Sequence, residues 1–65
     1  MGAFMEITFI IIDDDIAICK ILEHAIKKNQ LGKVISILTN GKEAQDIIMK
    51  LNPDIVLIDL LLPEV

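Results

Sequence analysis

The stretch FIIIDDDIAI, residues 9–18, places three consecutive aspartates directly after an apolar run. Residues 7–12, ITFIII, are almost all β-branched and apolar, and they are predicted to form a strand. A continuous apolar run, rather than an alternating one, is typical of a strand in a parallel sheet that is covered on both faces. Because three adjacent carboxylates repel one another, the aspartates indicate either a solvated turn or a site where a cation neutralises their charge.

The rest of the chain alternates between helix and strand patterns with short connections. The predicted elements are a helix over 16–28, a strand over 34–39, a second helix that carries Ala44, Ile47, Ile48 and Leu51, and a strand over 54–60. Asp15 is the predicted N-cap of the first helix, and Asn40 with Glu43 forms a predicted capping box for the second, which ends before Pro53. The order β-α-β-α-β predicts a parallel sheet with right-handed crossovers.

Several side chains have a predicted environment. Met49 and Leu51 are predicted to pack in the core or at its edge, Cys19 to be a small buried hydrophobic residue, and His24 to have a structural or surface role. The apolar stripe of the first helix is predicted to cover the sheet through Ile18, Ile21, Leu22, Ala25 and Ile26.

Composition narrows the class of protein. The chain has 65 residues, of which 54% are hydrophobic, and a chain of this size buries only about 60% of its unfolded surface. The single cysteine excludes an internal disulfide, and with no signal-peptide pattern it indicates a cytoplasmic location. No apolar run is long enough for a membrane span, and a net charge of −4 without arginine argues against nucleic-acid binding by this segment. Residues 1–4, MGAF, are expected to be a leader, which leaves residues 5–65 as the domain.

Carboxylates follow two of the predicted strands. Asp13 and Asp14 come directly after the first strand, and Asp59 lies near the end of the third. Ligands of parallel α/β sheets bind beyond the carboxyl ends of the strands, and a strand order of 2-1-3 would make the first and third strands neighbours. Mg²⁺ is bound by carboxylates, other oxygens and water, and a carboxylate can also act as a nucleophile that takes up a phosphoryl group. The sequence therefore predicts a magnesium site at the carboxyl ends of the first and third strands.

Three segments together carry a family resemblance: FIIIDDD (9–15), NGKEA (40–44) and PDIVLIDLLLP (53–63). Over residues 7–65 they resemble the amino-terminal half of the receiver domain of response regulators in two-component signalling. The resemblance implies a flavodoxin-like, doubly wound parallel sheet with strand order 2-1-3 in this part of the fold. It implies a phosphoacceptor role for Asp59 and magnesium binding by Asp13, Asp14, Asp59 and the backbone carbonyl of Leu61. A sensor histidine kinase is the implied phosphoryl donor.

A receiver domain of this family is about twice the length of this chain. The chain is therefore expected to be a truncated receiver without the fourth and fifth strands, the switch Ser/Thr and the phosphate-binding lysine. We expect weak or no phosphorylation of this form, and no enzymatic activity beyond self-phosphorylation. An output domain, often DNA-binding in the family, would lie outside it.

Two alternative functions are weighed against the phosphoacceptor. An apolar third strand with nothing beyond it would be a template for another chain, so a homo-oligomer or a domain swap is expected. On that hypothesis the chain is an interaction or assembly module that dimerises through the third strand without phosphorylation. A dehalogenase-like phosphatase would also use an aspartate nucleophile, but it needs a second aspartate two residues later, where this chain has Leu61.

Overall fold

The structure is a computed structural model in which residues 6–59 are described, so the predicted leader at residues 1–4 lies outside them. Its elements are β1 (Thr8–Ile12), α1 (Ile16–Lys28), β2 (Lys33–Leu38), α2 (Ala44–Leu51) and β3 (Ile55–Ile58). Every predicted element is present, and the strand bounds differ from the prediction by one or two residues. Neither of these helices has the length and apolar character needed to cross a membrane.

The three strands form one parallel sheet in the order β2-β1-β3, which confirms the predicted topology. β1 pairs with β3 in an uninterrupted register. Its pairing with β2 has a one-residue irregularity at Ile35, which lies between the partners of Phe9 and Ile10. Because β1 is the middle strand, the residues that follow it lie at the centre of the carboxyl edge.

The core has two layers, and β1 contributes to both. The layer under α1 is built on Phe9, Ile11, Cys19 and Ile26. The layer under α2 is built on Ile10, Ile12 and Ala44. Burial of an isoleucine or phenylalanine side chain contributes about 1.5–3 kcal/mol, so β1 is the best-anchored strand of the sheet. The continuous apolar run at residues 9–12 is therefore covered on both faces.

The covered face of α1 differs from the predicted one. Cys19 and Ile26 are buried and Leu22 packs against them, whereas Ile18 and Ile21 are exposed, Ile21 to 63%. The prediction was correct for Leu22 and Ile26 and wrong for the two exposed isoleucines, because it left the cysteine out of the apolar stripe. With Cys19 included, the covered positions follow the helical spacing i, i+3, i+7 and are rotated by about one residue from the predicted stripe.

The predicted capping box of α2 is also wrong. The helix begins at Ala44, so Glu43 occupies the N-cap position, and its side chain makes no capping hydrogen bond. Asn40 instead accepts a hydrogen bond from the backbone N–H of Lys42 (2.9 Å) in the preceding turn. Met49 is 73% exposed, so its predicted packing is wrong as well. Leu51, at the end of the same helix, is likewise exposed.

Side chains and backbone hold the amino edge of the sheet together, opposite the carboxylates. The Asp54 carboxylate accepts hydrogen bonds from the backbone N–H of Thr8 (2.8 Å) and from its hydroxyl (3.1 Å). The backbone N–H of Asp54 in turn donates to the Thr8 hydroxyl (3.0 Å), so the start of β3 is fastened to β1. Gly32 lies against the chain entering β1, and a Cβ there would overlap the carbonyl oxygen of Ile7.

Candidate metal centre

Three carboxylates meet at the carboxyl edge of the sheet. Asp13 and Asp14 follow β1 and Asp59 follows β3, and one oxygen from each carboxylate lies within 4.8 Å of the others. The structure therefore brings together three of the four residues for which the sequence predicted a site. Their roles as metal ligands and phosphoacceptor stay predictions. Leu61, the fourth residue, lies outside the described residues.

Backbone hydrogen bonds continue beyond the strands and position two of these aspartates. The N–H of Asp13 donates to the carbonyl of Leu38 at the end of β2 (3.0 Å). The N–H of Asp59 donates to the carbonyl of Ile12 at the end of β1 (2.9 Å). Both main chains are thus fixed to the neighbouring strand, and their side chains extend from the anchored sheet edge toward one another.

The three consecutive aspartates have different environments. Asp15 is the N-cap of α1, as predicted, because its Oδ1 accepts a hydrogen bond from the N–H of Ala17 (2.9 Å). Asp13 is half-buried, and its Oδ1 accepts a hydrogen bond from the N–H of Asp15 (2.9 Å). Asp14 is exposed to solvent. The Asp13–Asp15 bond was not predicted, although an aspartate that bonds the backbone two residues on is a common turn pattern.

Cys19 lies beneath this loop and is buried, as predicted. Its Sγ donates a hydrogen bond to the backbone carbonyl of Asp13 (3.5 Å). Burial raises the pKa of the thiol, and the negative charges of Asp13 and Asp15 raise it further. The thiol therefore stays protonated near neutral pH and is unsuited to nucleophilic chemistry. His24 is exposed on α1, in agreement with the predicted structural or surface role.

The donor set fits a hard divalent cation. Two carboxylate charges within 4.8 Å of each other repel by about 1 kcal/mol in bulk water, and by about 4 kcal/mol at the effective dielectric constant of a protein surface. A cation bound between the carboxylates would replace this repulsion by attraction. The acidic residues offer oxygen atoms alone, which are the ligands that Mg²⁺ prefers over nitrogen or sulfur.

Comparison with known proteins identifies the family. The family described as "Response regulator receiver domain" matches residues 9–65, which is most of the chain. The chain belongs to this family, and the strand order and the β-α-β-α-β architecture are those of its flavodoxin-like fold. No solved structure matches the chain significantly.

Similar curated proteins include three archaeal protein-glutamate methylesterase/protein-glutamine glutaminases. The chain is 32% identical over 91% of its length to one from Methanosarcina acetivorans, and it covers 17% of that protein. It is 36% identical over 91% of its length to one from Methanosarcina barkeri, and 31% identical over 89% to one from Methanococcus maripaludis, covering 16% of each. The chain thus spans about a sixth of the length of these relatives.

Proposed function

We propose that this chain is a phosphoacceptor segment of a receiver domain, which takes a phosphoryl group on Asp59 with Mg²⁺ as the cofactor. The observation that carries the proposal is the meeting of Asp13, Asp14 and Asp59 within 4.8 Å at the carboxyl edge of the sheet. Membership of the receiver family supports it, because the family serves two-component signalling. Asp59 is the proposed acceptor because its place at the end of β3, within PDIVLIDLLLP (53–63), matches the phospho-accepting aspartate of the receiver family that this chain resembles.

The chemistry assigned to Asp59 is a displacement at phosphorus. A carboxylate oxygen of Asp59 forms a bond to the phosphorus, and the bond from phosphorus to the donor's leaving atom breaks with its electron pair. Asp13, Asp14, Asp59 and the Leu61 carbonyl would hold the magnesium ion. When bound, the ion would supply positive charge to the phosphoryl oxygens during transfer. The backbone bond from Asp59 to Ile12 keeps the nucleophile in place.

The proposed partner is a sensor histidine kinase, which would donate the phosphoryl group from a phosphohistidine in the cytoplasm. The relatives carry the names of methylesterase/glutaminases, and this chain covers about a sixth of them. We therefore assign to the chain a phosphoacceptor role and no methylesterase chemistry of its own. Residues 5–65 would form the receiver segment, with residues 1–4 as a leader outside it.

Intact-mass spectrometry after incubation with acetyl phosphate tests this function. With magnesium present, we expect a small fraction of the 65-residue chain to gain the mass of one phosphoryl group. Chelation of the metal should abolish the gain, and Asp59→Asn should abolish it as well. The matched control is Asp46→Asn, which removes an exposed aspartate from α2 and should leave the gain unchanged. A gain that survives Asp59→Asn, or one that is independent of magnesium, would contradict the proposal.

A second candidate function is assembly through β3, and the exposure of this strand favours it. Within residues 6–59, β3 pairs with β1 along one edge, while Ile55 and Ile58 are 38% and 37% exposed. An apolar edge strand is a template for another chain, which would give a homo-oligomer or a domain swap. This hypothesis predicts a concentration-dependent dimer in light scattering that Asp59→Asn leaves intact and Ile58→Lys weakens. A clean folded monomer at micromolar concentration would contradict it.

A further inference from the structure

The chain contains three asparagines, and the structure gives them very different surroundings. Asn40 is followed by Gly41 and lies in the turn between β2 and α2, where its side chain is exposed. Asn29 is the C-cap of α1, and Asn52 is the C-cap of α2. These surroundings determine which side-chain amide can react with the backbone that follows it.

The Asn40 side chain is folded back over the next peptide unit. Its Oδ1 accepts a hydrogen bond from the backbone N–H of Lys42 (2.9 Å). The ring that this bond closes contains both the side-chain amide carbon of Asn40 and the backbone nitrogen of Gly41, so the two reacting atoms belong to one turn. Gly41 has no Cβ to obstruct the approach. Within residues 6–59, no oxygen accepts a hydrogen bond from the Asn40 Nδ2, which leaves this amine free to depart into solvent.

We propose that Asn40 is a site of spontaneous deamidation, with the Gly41 nitrogen as the attacking group and water as the co-reactant. The Gly41 nitrogen loses its proton to solvent base and forms a bond to Asn40 Cγ. The bond from Cγ to Nδ2 then breaks, and ammonia leaves after proton uptake. Water opens the resulting succinimide at either of its two carbonyl carbons, which gives aspartate or isoaspartate. No electrons are transferred, and one water replaces one ammonia.

The Lys42 N–H has a specific part in this reaction. Negative charge develops on Oδ1 as the nitrogen adds to Cγ, and a donor already 2.9 Å from that oxygen stabilises it without reorganisation. The turn therefore supplies a small-scale version of the donor arrangement that acyl-transfer enzymes use for an oxyanion. Such a donor is worth about 10²-fold in rate in a water-excluded enzyme site, and it is worth less in this turn, where Asn40 and Lys42 are exposed and Gly41 is buried.

The other two asparagines lack these features and act as internal controls. Nδ2 of Asn29 donates a hydrogen bond to the carbonyl of Ala25 (2.8 Å), so its leaving group is held, and the next residue, Gln30, carries a Cβ. Asn52 is followed by Pro53, whose nitrogen has no proton to lose. The fold therefore directs the reaction to one asparagine of three.

Deamidation would change the charge near the candidate metal centre. Both products carry a carboxylate in place of an amide, so the net charge falls by one, from −4 to −5. Asn40 follows β2, and the new charge would appear at the same carboxyl edge of the sheet as the three aspartates. The aspartate product keeps an acceptor for the Lys42 N–H, whereas isoaspartate adds a carbon to the main chain and displaces that acceptor.

Incubation of the folded 65-residue chain at mildly alkaline pH, followed by peptide mapping, tests the proposal. We expect a mass gain of about 1 Da in the peptide that contains Asn40, at a rate at least about tenfold higher than at Asn29, and no gain at Asn52. Asn40→Gln should remove the fast phase, and Asn40→Asp should co-elute with one of the two products in ion exchange.

Three results would each overturn the proposal. In the first, Asn40 does not react in the folded chain although the urea-denatured chain reacts there, which would show that the turn protects the amide. In the second, Asn29 reacts as fast as Asn40. In the third, the Asn40→Gln variant gains mass at the same rate as the parent chain.

Discussion

Asp59→Asn should stabilise the chain in metal-free buffer and remove its response to magnesium. Asp13 and Asp14 are adjacent in the sequence, so they repel each other in the unfolded chain as well. Asp59 meets them only in the folded state, with carboxylate oxygens within 4.8 Å. Each of its two repulsions costs about 1 kcal/mol at the dielectric constant of water, and salt screens part of this. We therefore expect the free energy of unfolding without metal to rise by about 1–2 kcal/mol in the variant.

Magnesium should stabilise the parent chain much more than the Asp59→Asn variant. A ligand that binds the folded state alone stabilises it by about 2.7 kcal/mol at a hundred times its Kd. The parent chain should gain stability of this order in saturating magnesium, and Asp59→Asn should gain little. For a domain of this size, each kcal/mol corresponds to a shift of about 4–8 °C in Tm.

Urea denaturation with and without magnesium measures both effects. Glu6→Gln is the matched control, because it removes one exposed negative charge from the segment just before β1, at the opposite edge of the sheet. This variant should keep the full magnesium response. Equal stabilisation of the parent chain and Asp59→Asn by magnesium would refute the reasoning. Higher stability of Asp59→Asn in metal-free buffer would not by itself support the magnesium site, because the assembly hypothesis also allows this result.

Three further predictions concern the sheet and its buried thiol. Gly32→Ala should lower the free energy of unfolding by about 1–3 kcal/mol in urea titrations, because its Cβ would overlap the Ile7 carbonyl oxygen. Asp54→Asn should cost about 1 kcal/mol in the same assay, since one carboxylate oxygen accepts both hydrogen bonds from Thr8 and a neutral amide oxygen would accept them more weakly than an ionised carboxylate does. Alkylation of Cys19 by iodoacetamide at neutral pH should be far slower in the folded than in the denatured chain, because the thiol is buried and its pKa is raised; equal rates would contradict this.

The element order β-α-β-α-β could be predicted from the sequence pattern, whereas the strand order 2-1-3 came from the resemblance to receiver domains. The meeting of the carboxylates follows from that strand order. Once β1 lies between β2 and β3, the residues after β1 and β3 must share one edge. The same reasoning holds for the cap at Asp15, which depends on local geometry alone.

Other features could not be predicted because they depend on tertiary packing. The periodicity of α1 indicated an apolar stripe, but several rotations of the helix about its axis satisfy that pattern. In the structure, α1 packs on the sheet in the rotation that buries Cys19 and leaves Ile21 exposed. Likewise, the spacing of Asn40 and Glu43 matched a capping box, but the turn before α2 is longer than the box requires.

A magnesium titration followed by amide NMR of the 65-residue chain tests whether the carboxylates bind the ion. We predict saturable shifts confined to residues 13–15 and 59–61, with loss of these shifts in Asp59→Asn and their retention in Glu6→Gln. Calcium or another hard cation should compete for the same residues. An absence of saturable shifts, or shifts spread evenly over the acidic residues of the chain, would contradict the assignment of a magnesium-dependent phosphoacceptor site.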